Sequence, residues 1–181
     1  DLSLDEAPFD PVILLRDVAE EFERDAATEG ISLDMHAQPV PYAVLGDRAK
    51  IRQVLHALLS NAIKFTEPGG TVSLKLLSGD EGICMTVTDT GIGIAHSDIA
   101  KCQEPFVRLG DPLVTGAGGA GLGLPIARHL LEAHGGSLSM QSRVGAGTAV
   151  TILLPSSRRI SCVDAYVPPL VATNARALKR V

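Results

Sequence analysis

The chain has little of several features that would mark other functional classes. It holds no tryptophan and only three cysteines, Cys84, Cys102 and Cys162, with no CxxC pair, so a disulfide framework or zinc site is disfavoured and a reducing cytoplasm is predicted. No apolar run approaches the ~20 residues that span a bilayer, and DLSLDEAPFD at the start lacks the basic and apolar regions of a signal peptide. The 16 basic and 21 acidic residues are evenly spread, without the Lys and Arg clusters that bind nucleic acid or a membrane surface. The sequence therefore predicts neither a nucleic acid nor a membrane surface as a partner.

Its composition and periodicity predict one folded unit. The chain has 181 residues, 45% of them hydrophobic, enough for one core. Helices are predicted over 10–29, from Asp47, as the N-cap, to about Phe65, and through LGLPIARHLLEAH before Gly135. Strands are predicted over 31–37, 71–77, 82–89, SLSMQS and GTAVTILLP. The predicted fold class is a two-layer α/β sandwich, a mixed sheet covered on one face by about three helices. The predicted domain is 1–155, and 156–181, basic and without a period, is predicted as a linker or C-terminal extension.

The stretch HALLSNAIKFT, residues 56–66, places polar side chains beside an apolar helix face. On a helical wheel, Asn61 and Lys64 lie with Ala57 on the flank of a core stripe formed by Ile51, Val54, Leu55, Leu58, Ala62 and Phe65. An amide oxygen suits Mg²⁺ and an ammonium suits phosphate, so the pair could hold a metal nucleotide. The alternative is that the two residues are merely the solvated edge of the helix.

DTGIGI, residues 89–94, follows a predicted strand directly. It sets the carboxylate of Asp89 beside Gly91 and Gly93, where a flat ligand can approach the backbone closely. The alternative interpretation is an ordinary strand-ending turn, in which Asp and Gly are common.

GGAGLGL, residues 118–124, precedes a predicted helix. Its glycines leave backbone N–H groups exposed, and the helix N-terminus that follows attracts anions. It lacks the preceding strand of a dinucleotide fingerprint and the Lys of a P-loop. The alternative is a flexible connector.

Taken in order, these motifs resemble the catalytic ATP-binding domain of bacterial sensor histidine kinases, a branch of the superfamily that includes the gyrase, Hsp90 and MutL ATPases. LSNAIKFT resembles the N box, DTGIGI the G1 box, EPFVRL the F box and GAGLGL the G2 box. GDRAKIRQVL and LEAHGGSLSMQSRVGAGTAVTILLP resemble the connecting segments, so the resemblance covers roughly residues 1–155. It implies the Bergerat-type ATP-binding fold.

The resemblance also implies roles for individual residues, with ATP and Mg²⁺ as cofactors. Asn61 would ligate Mg²⁺, Lys64 and Arg108 would contact phosphate oxygens, Asp89 would accept a hydrogen bond from the adenine amine, and Thr148 would support the adenine through its hydroxyl. The first three would be the catalytic residues, because phosphoryl transfer depends chiefly on positioning and charge stabilisation. The implied nucleotide-binding set is Asn61, Lys64, Phe65, Asp89, Gly91, Gly93, Ile94, Phe106, Arg108, Gly119, Gly121, Leu122, Gly123, Leu124 and Thr148.

Three positions depart from the family pattern. Ala57 stands where the family usually has an asparagine one turn before Asn61, which puts the rate of the reaction in question. Gln103 stands where the F box commonly begins with phenylalanine, and Ala120 where the G2 box commonly has threonine.

The resemblance implies partners that this chain does not contain. The histidine that accepts the phosphoryl group lies on a separate dimerisation domain, and a response regulator receives it next; the parent protein would be a cytoplasmic homodimer, with anchoring in the inner membrane left open. None of the five histidines matches the acceptor motif, and surface or capping roles are predicted for His36, His56, His96, His129 and His134. Two alternatives stay open: a degenerate module that binds nucleotide weakly or not at all, and a self-contained ATPase or serine kinase of the same superfamily.

Overall fold

The structure is a computed structural model, and it describes residues 3–104 and 122–161. The helices are α1 (Pro11–Thr28), α2 (Arg48–Lys64), the short α3 (His96–Ile99) and α4 (Gly123–Ala133), with single 3₁₀ turns at Lys101–Gln103 and Ser156–Arg158. The strands are β1 (Ala7–Phe9), β2 (Ser32–Ala37), β3 (Tyr42–Gly46), β4 (Thr71–Gly79), β5 (Gly82–Asp89), β6 (Ser137–Ser142), β7 (Thr148–Pro155) and β8 (Arg159–Ser161).

Five strands form the main sheet, in the order β2-β4-β5-β7-β6. β2 runs parallel to β4, and every other neighbouring pair in this sheet is antiparallel. Helices α1, α2 and α4 cover one face of it, and their buried apolar side chains form the core with the alternate residues of the strands that point the same way. The predicted two-layer α/β sandwich with a mixed sheet is therefore confirmed.

Side-chain caps fix where the first two long helices begin. Asp10 accepts hydrogen bonds from the backbone N–H of Val12 (2.7 Å) and Ile13 (3.1 Å) ahead of α1, and Asp47 accepts one from Lys50 (3.1 Å) ahead of α2. Each carboxylate satisfies N–H groups that have no partner within the first turn of a helix. The predicted N-cap at Asp47 is confirmed.

A second, three-stranded sheet has the order β1-β3-β8. No periodicity in the sequence predicts β1 or β8, because three residues are too few to show one. Residues 156–161, predicted as part of a linker or extension, instead form a 3₁₀ turn and strand β8, which pairs with β3. Residues 162–181 lie outside the described part of the chain, so the division into a domain and an extension stays a prediction.

His134 has the capping role that was predicted for it as one alternative, but it is not a surface residue. It does follow α4 as the C-cap residue, but its side chain is only 1% exposed. His56 fits the surface prediction better: its partly exposed ring pairs with Glu21 of α1 through Nε2 and Oε2 (2.5 Å).

Candidate functional site

The polar flank of α2 faces the start of α4. An ideal Cβ placed on Gly123 would lie 3.7 Å from the Ala57 Cβ and 3.8 Å from the Asn61 Nδ2. Ala57 and Asn61 are both partly buried. Since residue 123 has no side chain, the first turn of α4 approaches the amide of Asn61 closely. The end of α2 that carries Asn61 and the beginning of α4, which are distant in sequence, therefore lie side by side.

Lys64 and Phe65 end the same helix. The Lys64 side chain is exposed, and its Nζ lies 5.2 Å from the centroid of the Phe65 ring. Phe65 is the C-cap residue of α2, is only partly buried and does not belong to the hydrophobic core cluster, so its predicted place in the core stripe is wrong. The other five predicted members of that stripe are buried.

The carboxylate of Asp89 is held rigidly at the end of β5. Its Oδ1 accepts hydrogen bonds from the backbone N–H groups of Gly91 (2.8 Å) and Thr148 (3.1 Å), while within the described residues Oδ2 accepts none. Burial raises the pKa of Asp89 above its ordinary value, although the two N–H groups act in the opposite direction. One oxygen is thus fixed by the protein, while the other has no hydrogen-bond donor among the described residues.

The glycines after Asp89 are required by the protein backbone itself. A Cβ on Gly91 would lie 2.1 Å from the carbonyl oxygen of Phe65, and one on Gly93, whose φ is +67°, would lie 2.0 Å from the carbonyl oxygen of Arg143. In addition, the Ile92 N–H donates to Phe65 O at 3.1 Å. The loop 90–94 is therefore held between the end of α2 and the turn that joins β6 to β7. This close backbone contact is a reason for glycine beyond the predicted approach of a flat ligand.

Ser142, at the end of β6, belongs to this cluster and was not singled out by any sequence motif. Its hydroxyl donates to Gly147 O (2.9 Å), accepts from the Ile94 N–H (2.8 Å) and lies 2.8 Å from the Thr148 Oγ1. A serine hydroxyl has one proton to donate, and Ser142 donates it in the hydrogen bond to Gly147 O. The Thr148 hydroxyl must therefore be the donor in its bond with Ser142, and the lone pairs of the Thr148 oxygen are left as acceptors. The only signal in the sequence is position: a serine six residues before Thr148, across a glycine-containing turn.

Most of the implied nucleotide-binding residues fall into two groups. One contains Asp89, Gly91, Gly93, Ile94 and Thr148, joined by the contacts above. The other lies where α2 meets α4 and contains Asn61, Lys64 and Phe65 with Leu122, Gly123 and Leu124, and Phe65 O connects the two groups through Ile92. The remaining implied residues, Phe106, Arg108, Gly119 and Gly121, lie outside the described residues.

The first turn of α4 is suited to an anion. The helix has 11 residues and no acidic side chain in its first turn, so the partial positive charge of its N-terminus is not neutralised there. Backbone N–H groups in the first turn of a helix have no intrahelical partner; in α4 these are the N–H groups of Gly123 and Leu124, because Pro125 has none. This end of the site therefore favours negatively charged groups.

An open pocket of 440 Å³ adjoins the loop 90–94. It is lined by Glu67, Pro68, Gly70, Thr90, Gly91, Ile92, Val144 and Gly145. Apart from Gly91, none of these is an implied site residue, so the chemistry described above does not lie within this pocket.

Two searches of the described residues gave negative results. Residues 3–104 and 122–161 contain no group of three or more His, Cys, Asp or Glu side chains that could hold a metal ion. In the same ranges, no helix is long and apolar enough to cross a membrane.

Comparison with known proteins agrees with this geometry. Residues 46–158 match the family described as "Histidine kinase-, DNA gyrase B-, and HSP90-like ATPase". The circadian input-output histidine kinase CikA of Synechococcus elongatus is 41% identical over 118 residues, which are 65% of this chain and 16% of CikA. The chain therefore spans about a sixth of that relative.

Solved structures show the same similarity. The full-length ShkA structure in complex with AMPPNP superposes with a TM-score of 0.76 at 35% identity, over 85% of this chain and 32% of that one. The catalytic domain of histidine kinase ThkA gives a TM-score of 0.73 at 26% identity, over 83% of this chain and 95% of that one. ThkA has also been solved in complex with the response regulator protein TrrA, and that structure gives a TM-score of 0.70 at 25% identity, over 84% of this chain and 42% of that one.

The chain belongs to the histidine kinase-, DNA gyrase B- and HSP90-like ATPase family, since the match covers more than half of it. Within that family it is an ATP-binding catalytic domain of the histidine kinase type. The resemblance stated from the N, G1, F and G2 boxes is confirmed at this level.

Proposed function

We propose that this domain binds MgATP and transfers the γ-phosphoryl group to a histidine on a dimerisation domain elsewhere in a parent homodimer, for relay to a response regulator. The observation that carries the proposal is that the domain has two separate polar groups of different kinds. One is the fixed carboxylate of Asp89, and the other is the carboxamide of Asn61, which lies beside Gly123 at the N-terminus of α4. A nucleotide needs both ends: an acceptor for the base and an electropositive region for the phosphates. The structures of ShkA with AMPPNP and of ThkA with TrrA support a nucleotide and a response regulator as partners of such domains.

Asp89 and Thr148 form the base end of the proposed site. Asp89 Oδ2 and the lone pairs of the Thr148 hydroxyl are both acceptors in the arrangement described above. The exocyclic amine of adenine donates two hydrogen bonds, whereas guanine has a carbonyl oxygen at the corresponding position. The pair therefore favours ATP over GTP, because a carbonyl facing two acceptors would leave buried polar groups unpaired.

Asn61 and the start of α4 form the phosphate end. Mg²⁺ commonly binds to one or two protein oxygens and completes its shell with phosphate oxygens and water. The single carboxamide of Asn61, with no acidic cluster in the described residues, fits such a site, and Asn61 would hold the ion there. When bound, Mg²⁺ would neutralise charge on the phosphates; Lys64 would add a cation, and the N–H groups of the first turn of α4 would orient the phosphate oxygens.

The transfer itself requires an imidazole as the nucleophile, and none of the implied site residues is a histidine. The bond between the γ-phosphorus and the β,γ-bridging oxygen breaks, a bond forms between that phosphorus and an imidazole nitrogen of the acceptor histidine, and ADP leaves with the electron pair. The role of this domain is to hold the γ-phosphoryl group in line with that histidine and to stabilise the charge.

Binding and transfer can be tested separately. Calorimetry with AMPPNP, with Mg²⁺ and then with EDTA, should show binding that strengthens with the metal. Adding the parent dimerisation domain with ATP should then produce acid-labile phosphohistidine. Absence of nucleotide binding under both conditions would contradict the proposal, and binding without phosphohistidine would limit the activity to nucleotide binding.

One observation favours the alternative of a degenerate module. The methyl group of Ala57 faces Gly123 on the same flank as Asn61, so the position one turn before the proposed metal ligand carries no oxygen. A domain with weak or absent kinase activity would act through partner contacts. Lack of Mg²⁺-dependent binding in the experiment above would support this alternative.

A further inference from the structure

The imidazole of His134 connects the two helices of the site at the end away from the nucleotide. Its Nε2 accepts a hydrogen bond from the backbone N–H of Asp47, the N-cap of α2, at 3.0 Å. Because Nε2 is the acceptor, the ring proton is on Nδ1, which donates to the carbonyl oxygen of Leu130 in α4 at 2.7 Å. The ring therefore uses both nitrogens, one toward each helix, while 1% exposed to solvent.

The space for this ring is made by Gly46. An ideal Cβ at residue 46 would lie 3.0 Å from the His134 Cδ2, 3.4 Å from its Nε2 and 3.5 Å from the Phe9 Cε1. The φ of Gly46 is not in the left-handed region, so the glycine is needed here for close packing and not for its conformation. The imidazole is consequently fixed in one orientation by the backbone of β3 at Gly46 as well as by its own hydrogen bonds.

The N-terminal segment, residues 3–9, reaches the same place. The Asp5 N–H donates to Asp47 Oδ2 at 3.1 Å, and Glu6 pairs with Arg158, whose Nε donates to the carbonyl oxygen of His134 at 2.9 Å. Burial acts to raise the pKa of Asp47, but hydrogen bonds from backbone N–H groups, those of Lys50 and Asp5 first, outweigh it and lower the pKa. Asp47 therefore stays a carboxylate that joins the N-terminal segment to α2.

Helices α2 and α4 pack against each other through apolar side chains of the core, and two further contacts connect them near the opposite ends of α4. The C-terminal end of α4 is attached to the start of α2 through His134, and its N-terminal end lies at Asn61, near the end of α2. With 11 residues, α4 is roughly 16 Å long. A small rotation about the His134 end would displace the N–H groups at Gly123 from Asn61, because Gly123 lies at the opposite end of α4 from His134.

We propose that His134 is a positioning residue for phosphate and metal binding: by linking the α2 N-cap to the last turn of α4, it holds the N-terminus of α4 at Asn61. This inference rests on the proposed nucleotide-binding function. It assigns the residue no contact with the nucleotide. Its effect is transmitted through the orientation of one helix.

Two substitutions of similar polarity distinguish the hydrogen bond from His134 to Asp47, which joins the two helices, from the hydrogen bond to Leu130 within α4. In His134→Gln, the side-chain amide oxygen can reach the position of Nε2 and accept from the Asp47 N–H. In His134→Asn, the shorter amide can replace only Nδ1, toward Leu130. The 181-residue chain and both variants would be titrated with AMPPNP in Mg²⁺ and in EDTA, at a temperature where circular dichroism shows each to be fully folded.

We expect His134→Asn to weaken Mg²⁺-dependent AMPPNP binding by about tenfold and His134→Gln to bind with nearly the affinity of the unsubstituted chain, within about 1.5-fold. If His134→Asn does not fold, Gly46→Ala provides the test: its Cβ pushes the ring from its site, and binding should weaken by about threefold.

The outcomes distinguish this inference from the proposed function. If the unsubstituted chain binds no AMPPNP, the proposed function fails. If it binds and His134→Asn binds equally well, or if the Asn and Gln variants lose affinity equally, the positioning role is wrong and the nucleotide site remains. Unchanged AMPPNP binding in Gly46→Ala would likewise show that the positioning role of His134 is wrong.

Discussion

Replacing Ser142 with alanine tests whether the base end of the site is held by the β6–β7 turn. The substitution removes three hydrogen bonds, from the Ile94 N–H, to Gly147 O and with the Thr148 hydroxyl. Each such bond contributes about 0.5–1.5 kcal/mol net, and water can reach part of this partly buried site, so a loss of ~2 kcal/mol in the free energy of unfolding is expected. For a chain of this length, that lowers Tm by about 4–8 °C.

Nucleotide binding should fall as well. Without Ser142, the Thr148 hydroxyl loses the acceptor that directs its proton away from the ligand, and the Ile94 N–H loses its partner. We expect about tenfold weaker AMPPNP binding, which corresponds to ~1.4 kcal/mol. Thermal unfolding followed by circular dichroism gives the first quantity, and calorimetry below the transition gives the second.

Ser139→Ala is the matched control on the same strand. Ser139 is exposed, and its hydroxyl makes no hydrogen bond among the described residues, so its loss should change stability by no more than about 0.5 kcal/mol. Equal Tm values for the two variants would refute the hydrogen-bond assignment at Ser142. A lower Tm with unchanged binding would show that Ser142 supports only the fold.

Three further substitutions test other parts of the site. Asp89→Asn should raise the stability of the unliganded chain at neutral pH, because burial raises the pKa of Asp89 in the folded state. The gain should disappear as the pH falls below the ordinary Asp value of 3.8, because the carboxyl is then protonated in both the folded and the unfolded chain, and urea unfolding across this range would measure it. Gly93→Ala, at φ +67° with Arg143 O 2.0 Å from the new Cβ, should cost more than ~2 kcal/mol, whereas Gly145→Ala, at φ +73° with nothing within 4 Å, should cost about 1 kcal/mol in the same urea assay. Ala57→Asn should speed phosphorylation of a supplied dimerisation domain if a missing amide limits the rate, and an unchanged yield of acid-labile phosphohistidine over time would reject that idea.

The sequence predicted the elements whose signals are local. The cap at Asp47, the spacing of apolar residues in α2 and the alternation in β5 each depend on neighbours within a few residues, so their bounds lie within a few residues of those observed. Strands β1 and β8 were not predicted, because each has only three residues and is stabilised by pairing with β3, which is remote in sequence.

Motif order predicted the family, and the residue types at Asn61 and Asp89 indicated the chemistry that we propose for each end of the site. Only the tertiary structure decided how those residues are held. Ser142 and His134 act through hydrogen bonds to backbone groups far along the chain, and every residue offers the same backbone groups. Residue identity gives no sign of such partners, so the hydrogen bonds of Ser142 and His134 could be recognised only in the folded chain.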